Sequence, residues 1–261
     1  MNLTSIIKRA LAGELGPDPV QERVSTAFTT RQGVRHDSRR RGYRNHVVSL
    51  RVGRAVGSCA VEPGEVADEI VEECAGVAVA DLLLHPVPAV RVATLDAYLM
   101  SARPHWGKRV TVAAGTSLEK SLARAAAVVD LLPAGTERVL VVGVVNSVLH
   151  RLRERGVRYV PCDLKGGSTE WGEPVTADAA RALGVCDAVL ASGMTLGNGS
   201  FETLLEHARA HRKPLVMFAQ TGSAILPHFL GWGVTAVSAE PYPFFWLDGG
   251  DTVLFRYRER A

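Results

Sequence analysis

The second half of the chain repeats one pattern. A short, wholly apolar run stops at a loop of glycine and small polar residues, and a helical pattern follows. The segment CDAVLASGMTLGNGS, from Cys186 to Ser200, shows it most plainly. Residues 188–191 are apolar, Ser192-Gly193 ends the run, and Phe201-Glu202-Thr203-Leu204-Leu205-Glu206 opens a helix. Strands that are apolar at every position are buried on both faces, as in a parallel sheet covered by helices on each side. The pattern also says where a ligand goes. In open α/β sheets it lies beyond the carboxyl ends of the strands, where loop amides and helix N-termini point.

On this reading, strands cover residues 138–142, 158–162, 188–191, 214–219 and 234–238. Helices cover 146–155, 174–183 and 201–210, with a short helical segment at 223–230 and an edge strand at 252–256. The first part is mixed. Residues 24–30 and 46–52 read as strands, and 54–59 continues a meander. Residues 65–74, 77–84 and 89–100 read as helices, punctuated by Pro63-Gly64 and His85-Pro86-Val87-Pro88. The clearest helix starts at Ser117, capped by Thr116 or Ser117, with Leu118, Leu122, Ala125, Val128, Val129 and Leu132 along one face. Pro133-Ala134-Gly135-Thr136 ends it and marks a boundary. The expected organisation is α/β: a smaller α+β domain over 1–132 and a Rossmann-like domain over 133–261.

Composition narrows the function classes. The 261 residues are 47% apolar and 22% charged, with no apolar run long enough to span a bilayer. A net charge of +3 makes no case for nucleic acid. The opening MNLTSIIKRALAGELG reads as an amphipathic helix, not a signal peptide, so the expected location is cytoplasmic. Cys59, Cys74, Cys162 and Cys186 form no CxxC pair and read as reduced, buried thiols. The cluster Arg35, Arg39, Arg40, Arg41 and Arg44 reads as a solvated basic loop, with a lid or anion-steering patch as the alternative.

Four loops should share one sheet edge. In Gly143-Val144-Val145-Asn146-Ser147, Gly143 permits close backbone approach and Asn146 or Ser147 can cap a helix. The single glycine fails the dinucleotide fingerprint. Asp163, in Asp163-Leu164-Lys165-Gly166-Gly167, stands where nucleotide-binding folds place an acidic residue, about 20 residues on. Ser192, Gly193, Met194, Thr195 and Asn198 form a third, glycine-softened loop whose amides can converge. Glu202 in the following first turn reads equally as a capping residue. Gln220, Thr221, Gly222 and Ser223 form the fourth. Past the fifth strand, Glu240 and Tyr242 are further candidates, while Phe244 and Phe245 read as core. His207 and His211 are four apart on one helix, a metal-ligand spacing on an otherwise charged face.

Three segments resemble a Rossmann-like heavy-metal chelation domain family, formerly a domain of unknown function: VLVVGVVNSVL, SGMTLGNGSFETLL and AQTGSAILPHFLGWGV. Gln220-Thr221-Gly222 departs from the Gly-Pro commoner at that place in the family. The resemblance implies a small first domain similar to the N-terminal domain of enolase, closed by Ala113-Ala114-Gly115-Thr116-Ser117. It also implies a site in the cleft between the halves. The function expected is an enzyme or binding protein for a small polar, metal-chelating (siderophore-like) metabolite or its amino-acid precursor. Lys120, Asp163, Glu202 and Glu240 are the candidates for proton transfer. The alternatives are an enzyme using S-adenosylmethionine or NAD(P), favoured by Gly143 and Asp163, and a non-catalytic metal-binding or sensing module. A divalent metal ion or a nucleotide-type cofactor fits one or other reading, with no metal ligands assigned. The expected partners are a small-molecule ligand and a second copy of the chain as a homodimer, with neither nucleic acid nor membrane.

Overall fold

The computed structural model describes residues 1–36, 39 and 42–259, so Arg40 and Arg41 of the basic cluster lie outside the described residues. Three antiparallel strands, β1 (Val24–Val34), β2 (Tyr43–Val52) and β3 (Ala55–Val61), form a small sheet in the order β1-β2-β3. The helix α1 (Leu3–Leu11) precedes it. Three helices follow: α2 (Asp68–Glu72), α3 (Val79–Leu83) and α4 (Pro88–Ala102). The fifteen-residue α4 lies on β2 and β3. A Cβ at Gly57 would run into the backbone of Ala97 and Ala93, so only glycine lets strand and helix approach this closely.

The large sheet has seven strands: β4 (Lys108–Val112), β5 (Arg138–Val142), β6 (Arg158–Cys162), β7 (Ala188–Ser192), β8 (Leu215–Ala219), β9 (Ala236–Ala239) and β10 (Thr252–Arg258). Their order is β4-β10-β9-β8-β7-β5-β6. The strands β6, β5, β7, β8 and β9 pair in parallel, and β10 pairs antiparallel with both β9 and β4. Counted along the chain, the parallel strands lie 2-1-3-4-5, the flavodoxin-like order, whose switch point falls between the first and third strands. Here that gap lies between β5 and β7.

Alternation along each strand divides the core in two. Val139, Val141, Ala188, Leu190, Val216 and Phe218 face α5 (Ser117–Val129) and α6 (Asn146–Glu154). Leu140, Val189, Ala191, Leu215 and Met217 face α7 (Ala179–Leu183) and, past the short α8 (Met194–Gly197), α9 (Phe201–His211), in a core continuous with that under α4. This two-sided burial is why the strands read as unbroken apolar runs.

Local chemistry explains where elements differ from expectation. Residues 174–178 are not helical. Thr176 bridges Cys162 in extended chain, and α7 begins only after Asp178, whose side chain accepts from Ala180 N at 3.0 Å. The segment expected at 223–230 tightens to a 3-10 turn over Leu226–Phe229, with Pro227 near its start. Residues 252–258 are not an edge strand: β4, not anticipated from the sequence, covers their outer side. Both β4 and α5 precede residue 133 and yet build the large sheet's layers.

Candidate functional site

The loops after β5, β6, β7 and β8 leave the carboxyl ends of parallel strands and share one rim. Gly143 takes φ +85°, a left-handed conformation that favours glycine, and donates its N–H to Cys162 O at 2.9 Å. A Cβ there would lie 2.7 Å from Ser192 Cβ, so the two loops flanking the switch point touch. Gly193 packs on the carbonyl of Thr221, joining the third loop to the fourth. Asp163 Oδ2 accepts from Val144 N at 3.3 Å, joining the second to the first. Gly143, Asp163, Ser192, Gly193 and Thr221 therefore form one connected strip. Within it, Met194 N donates to Ser192 Oγ at 3.3 Å, and Thr195 Oγ1 donates to Ser192 O at 2.8 Å. Asn146 accepts from Glu170 N at 3.4 Å. Thr221 and Ser223 are buried.

The charged candidates fare differently. Lys120 is 1% exposed, and its ammonium donates to the carbonyls of Asp248, at 2.7 Å, and of Gly250. It fixes a turn. Glu202 Oε1 accepts from Leu3 N at 2.7 Å, anchoring α1. Asn198 is exposed and engaged with its own turn, accepting from Ser200 N at 3.1 Å and Ser200 Oγ at 2.7 Å. Glu240 does lie at the rim, but buried. It accepts from Arg124 Nε at 2.8 Å, Gln220 Nε2 at 2.9 Å and Phe245 N at 2.9 Å. Asp163 also accepts from Lys165 N at 3.1 Å. His207 and His211 sit with ring centroids 4.3 Å apart. Among the described residues, no three His, Cys, Asp or Glu side chains are grouped to hold a metal ion.

The three-stranded sheet lies across this rim. Gly222 N donates to Ser58 O at 2.9 Å, Gly197 abuts Cys59, and Lys165 pairs with Glu62 at 2.7 Å. The Phe28 and Tyr242 rings meet edge to face at 5.6 Å. At the hairpin tip, His36 Nδ1 and Ser117 Oγ are 2.8 Å apart, and Arg39 pairs with Glu170. The arm thus closes on the N-terminus of α5 and the loop after β6. Arg35 and Arg44 remain exposed.

Several participants had no clear sequence signal. Arg124 is buried between the Phe218 and Phe245 rings, 5.7 and 6.0 Å from their centroids. Its trace in the sequence is the spacing Lys120–Arg124, one helical turn beside the apolar stripe. Burial raises the pKa of the Tyr43 phenol, and the positive charge of Arg124 opposes that rise. Asp96 of α4 is 2% exposed and accepts from Ser58 N at 2.9 Å and Ala224 N at 2.7 Å, tying α4 to β3 and the fourth loop. Burial pushes its pKa up to about 7 against the pull of those amides.

Gln32 also lies on the arm. Phe28, Thr30 and Gln32 alternate onto one face of β1, and Phe28 turns that face toward Tyr242 past the end of β9. Both polar atoms of the Gln32 amide are buried and have no hydrogen-bond partner among the described residues. The opposite face of the arm opens on a cavity of about 290 Å³ lined by Thr29, Arg31, His46 and Glu62.

Parallel strands in this order, covered by helices on both faces, define a Rossmann-like α/β protein with an antiparallel sheet over the carboxyl ends of its parallel strands. Residues 127–239 match the model of the DUF364 family, described as "Putative heavy-metal chelation", and the resemblance read from the sequence holds over that stretch. A solved DUF364 protein of unknown function from Desulfitobacterium hafniense DCB-2 superposes with a TM-score of 0.59 at 14% identity, over 98% of this chain and 100% of its own. Another, from Pyrococcus horikoshii, gives 0.53 at 16% identity, over 99% and 100%. At these identities the likeness is one of fold. No curated protein matches the sequence. No helix is long and apolar enough to cross a membrane.

Proposed function

We propose that the crevice between the hairpin arm and the β5/β7 rim binds a small polar metabolite able to chelate metal, siderophore-like or an amino-acid precursor of such a compound. The observation that carries the reading is the Gln32 amide. A buried primary amide without partners costs about 1–3 kcal/mol; a ligand's amide removes that cost, and a carboxylate accepting from Nε2 removes part of it. The Ser192–Thr195 loop, held in shape by its own hydrogen bonds, supplies the opposite wall. Metal enters on this reading with its chelator, whose donors replace a side-chain cluster. The acidic residue that would favour a nucleotide, Asp163, is already engaged by Val144 N and Lys165 N. The same reading keeps the protein in the cytoplasm, where Cys59, Cys74, Cys162 and Cys186, all free and buried, stay reduced.

The test is thermal unfolding with nitrilotriacetate, with zinc chloride, and with the preformed zinc–nitrilotriacetate complex. The expected result is a concentration-dependent rise in Tm with the chelator or its complex that disappears in Gln32→Leu, since a ligand bound only to the folded state stabilises it by mass action. An equal rise with zinc chloride alone would replace this reading with a metal-binding module. No rise with any of the three, or a rise unchanged in Gln32→Leu, would remove the crevice as the site.

A further inference from the structure

A second cavity, of about 440 Å³, opens at the other end of the large sheet and is lined by Met100, Pro104, His105, Trp106, Arg109 and Phe255, among others. It lies by β10 and the edge strand β4, and β7, β8 and β9 separate it from the switch-point gap. Its volume is that of a small-ligand site. Its walls are aromatic. Trp106 is 55% exposed, with its ring edge-on to Tyr257 at 4.8 Å, and the His105 ring lies 4.8 Å from Phe255.

Two guanidiniums sit on those walls. Arg103 lies over the Trp106 ring at 5.2 Å and Arg109 over the Phe255 ring at 5.8 Å. Among the described residues neither has a carboxylate within ion-pairing distance. Guanidiniums stacked on rings and lacking a counter-ion form a surface for an anion that carries its own π-face.

His105 adds an unpartnered ring nitrogen. Its Nδ1 is 2.6 Å from Tyr257 Oη, and which of the two donates follows the ring's tautomer. With the tyrosine hydroxyl donating to Nδ1, the imidazole proton stands on Nε2. That Nε2 is buried and has no partner among the described residues. Burial also holds the ring neutral, with its pKa down to about 4.

We propose that this cavity is a binding site for a small planar aromatic carboxylate, its ring against Trp106 and Phe255, its anionic group at Arg109, and His105, protonated on Nε2, donating to a ligand oxygen. It is independent of the crevice reading. The probe is sodium benzoate titrated into the full-length protein, with benzylamine and sodium acetate in parallel. The readout is the indole N–H of Trp106 and the imidazole Nε2–H of His105 in proton–nitrogen spectra.

Saturable shifts of both signals are expected with benzoate at millimolar concentration. Affinity should fall about tenfold for acetate, for benzylamine and for Arg109→Gln, each step being about 1.4 kcal/mol. Trp106→Phe should keep binding because the ring is retained. Arg109 and Trp106 are exposed, so both variants fold, and the dispersion of their spectra confirms it. Benzylamine binding as tightly as benzoate, benzoate affinity unchanged in Arg109→Gln, or no saturable shift would each overturn the proposal.

Discussion

The rim of the large sheet and the arm that covers it are both polar, but they hold their polar groups differently. Along the rim nearly every charged group has its partners within the chain: Glu240 three donors, Lys120 two carbonyls, Asp163 two amides. On the arm, the Gln32 amide has none among the described residues. Groups already satisfied fix a shape, and a group left unsatisfied in the interior marks where an outside partner is needed. The rim therefore reads as the frame of the site and the arm as its recognition element.

If the rim is a frame, breaking it costs stability first. The largest effect belongs to Glu240→Ala, which strands Arg124 as a buried, unpaired cation and should destabilise by about 3–5 kcal/mol in urea unfolding. A loss under about 1 kcal/mol would mean that Arg124 reaches water, and that the pair is a surface feature rather than part of the frame. Gly143→Ala comes next. It combines φ +85° with a Cβ only 2.7 Å from Ser192 Cβ, and left-handed strain plus overpacking predicts about 2–4 kcal/mol. Neutrality there would show that the loops flanking the switch point are not in contact.

The frame was also the legible part. Strands β5 to β9 stand out because burial on both faces makes them apolar at every position, and their glycine loops follow from strand order. What could not be read was anything depending on distant pairing. Nothing local in Lys108–Val112 announces β4, because a strand of alternating character needs its neighbour β10 to be recognised. The rim loops were expected, but no spacing rule says that the β1–β2 hairpin lies over them. Hence Gln32, Tyr43 and Arg124 went unnoticed. The partners of Lys120 and Glu202 were not legible either, because a charge in a sequence shows its type and not its partner.

The seam between frame and cover makes the third prediction. Asp96 joins α4 to β3 and the fourth loop, and burial raises its pKa to about 7. Its folded-state pKa lies above the unfolded value, so the native state binds more protons between roughly pH 4 and pH 7. This contribution to stability is fully present below the unfolded pKa and is lost as pH rises through about 7. The unfolding free energy from urea titrations should therefore fall over that window by an amount on the order of 4 kcal/mol. In Asp96→Asn that part of the slope should vanish. A parent profile that rises with pH in the same window would assign the carboxylate to its amide donors instead, with the seam held by the anion.

The smallest effects sharpen the contrast most. Asn198→Ala removes two bonds within one exposed turn and should cost no more than about 1 kcal/mol, with chelator binding unchanged. Gln32→Leu should have the opposite signature. Replacing an unpartnered buried amide with an apolar group of similar size relieves a desolvation penalty, so the Tm of the free protein should hold or rise slightly, by about 0–1 kcal/mol equivalent. At the same time the stabilisation by nitrilotriacetate should be lost. Stability and binding then move apart at one residue, which a packing role does not produce. If Gln32→Leu instead unfolded early, the amide would be bonded within the chain, and the arm would belong to the frame like everything beneath it.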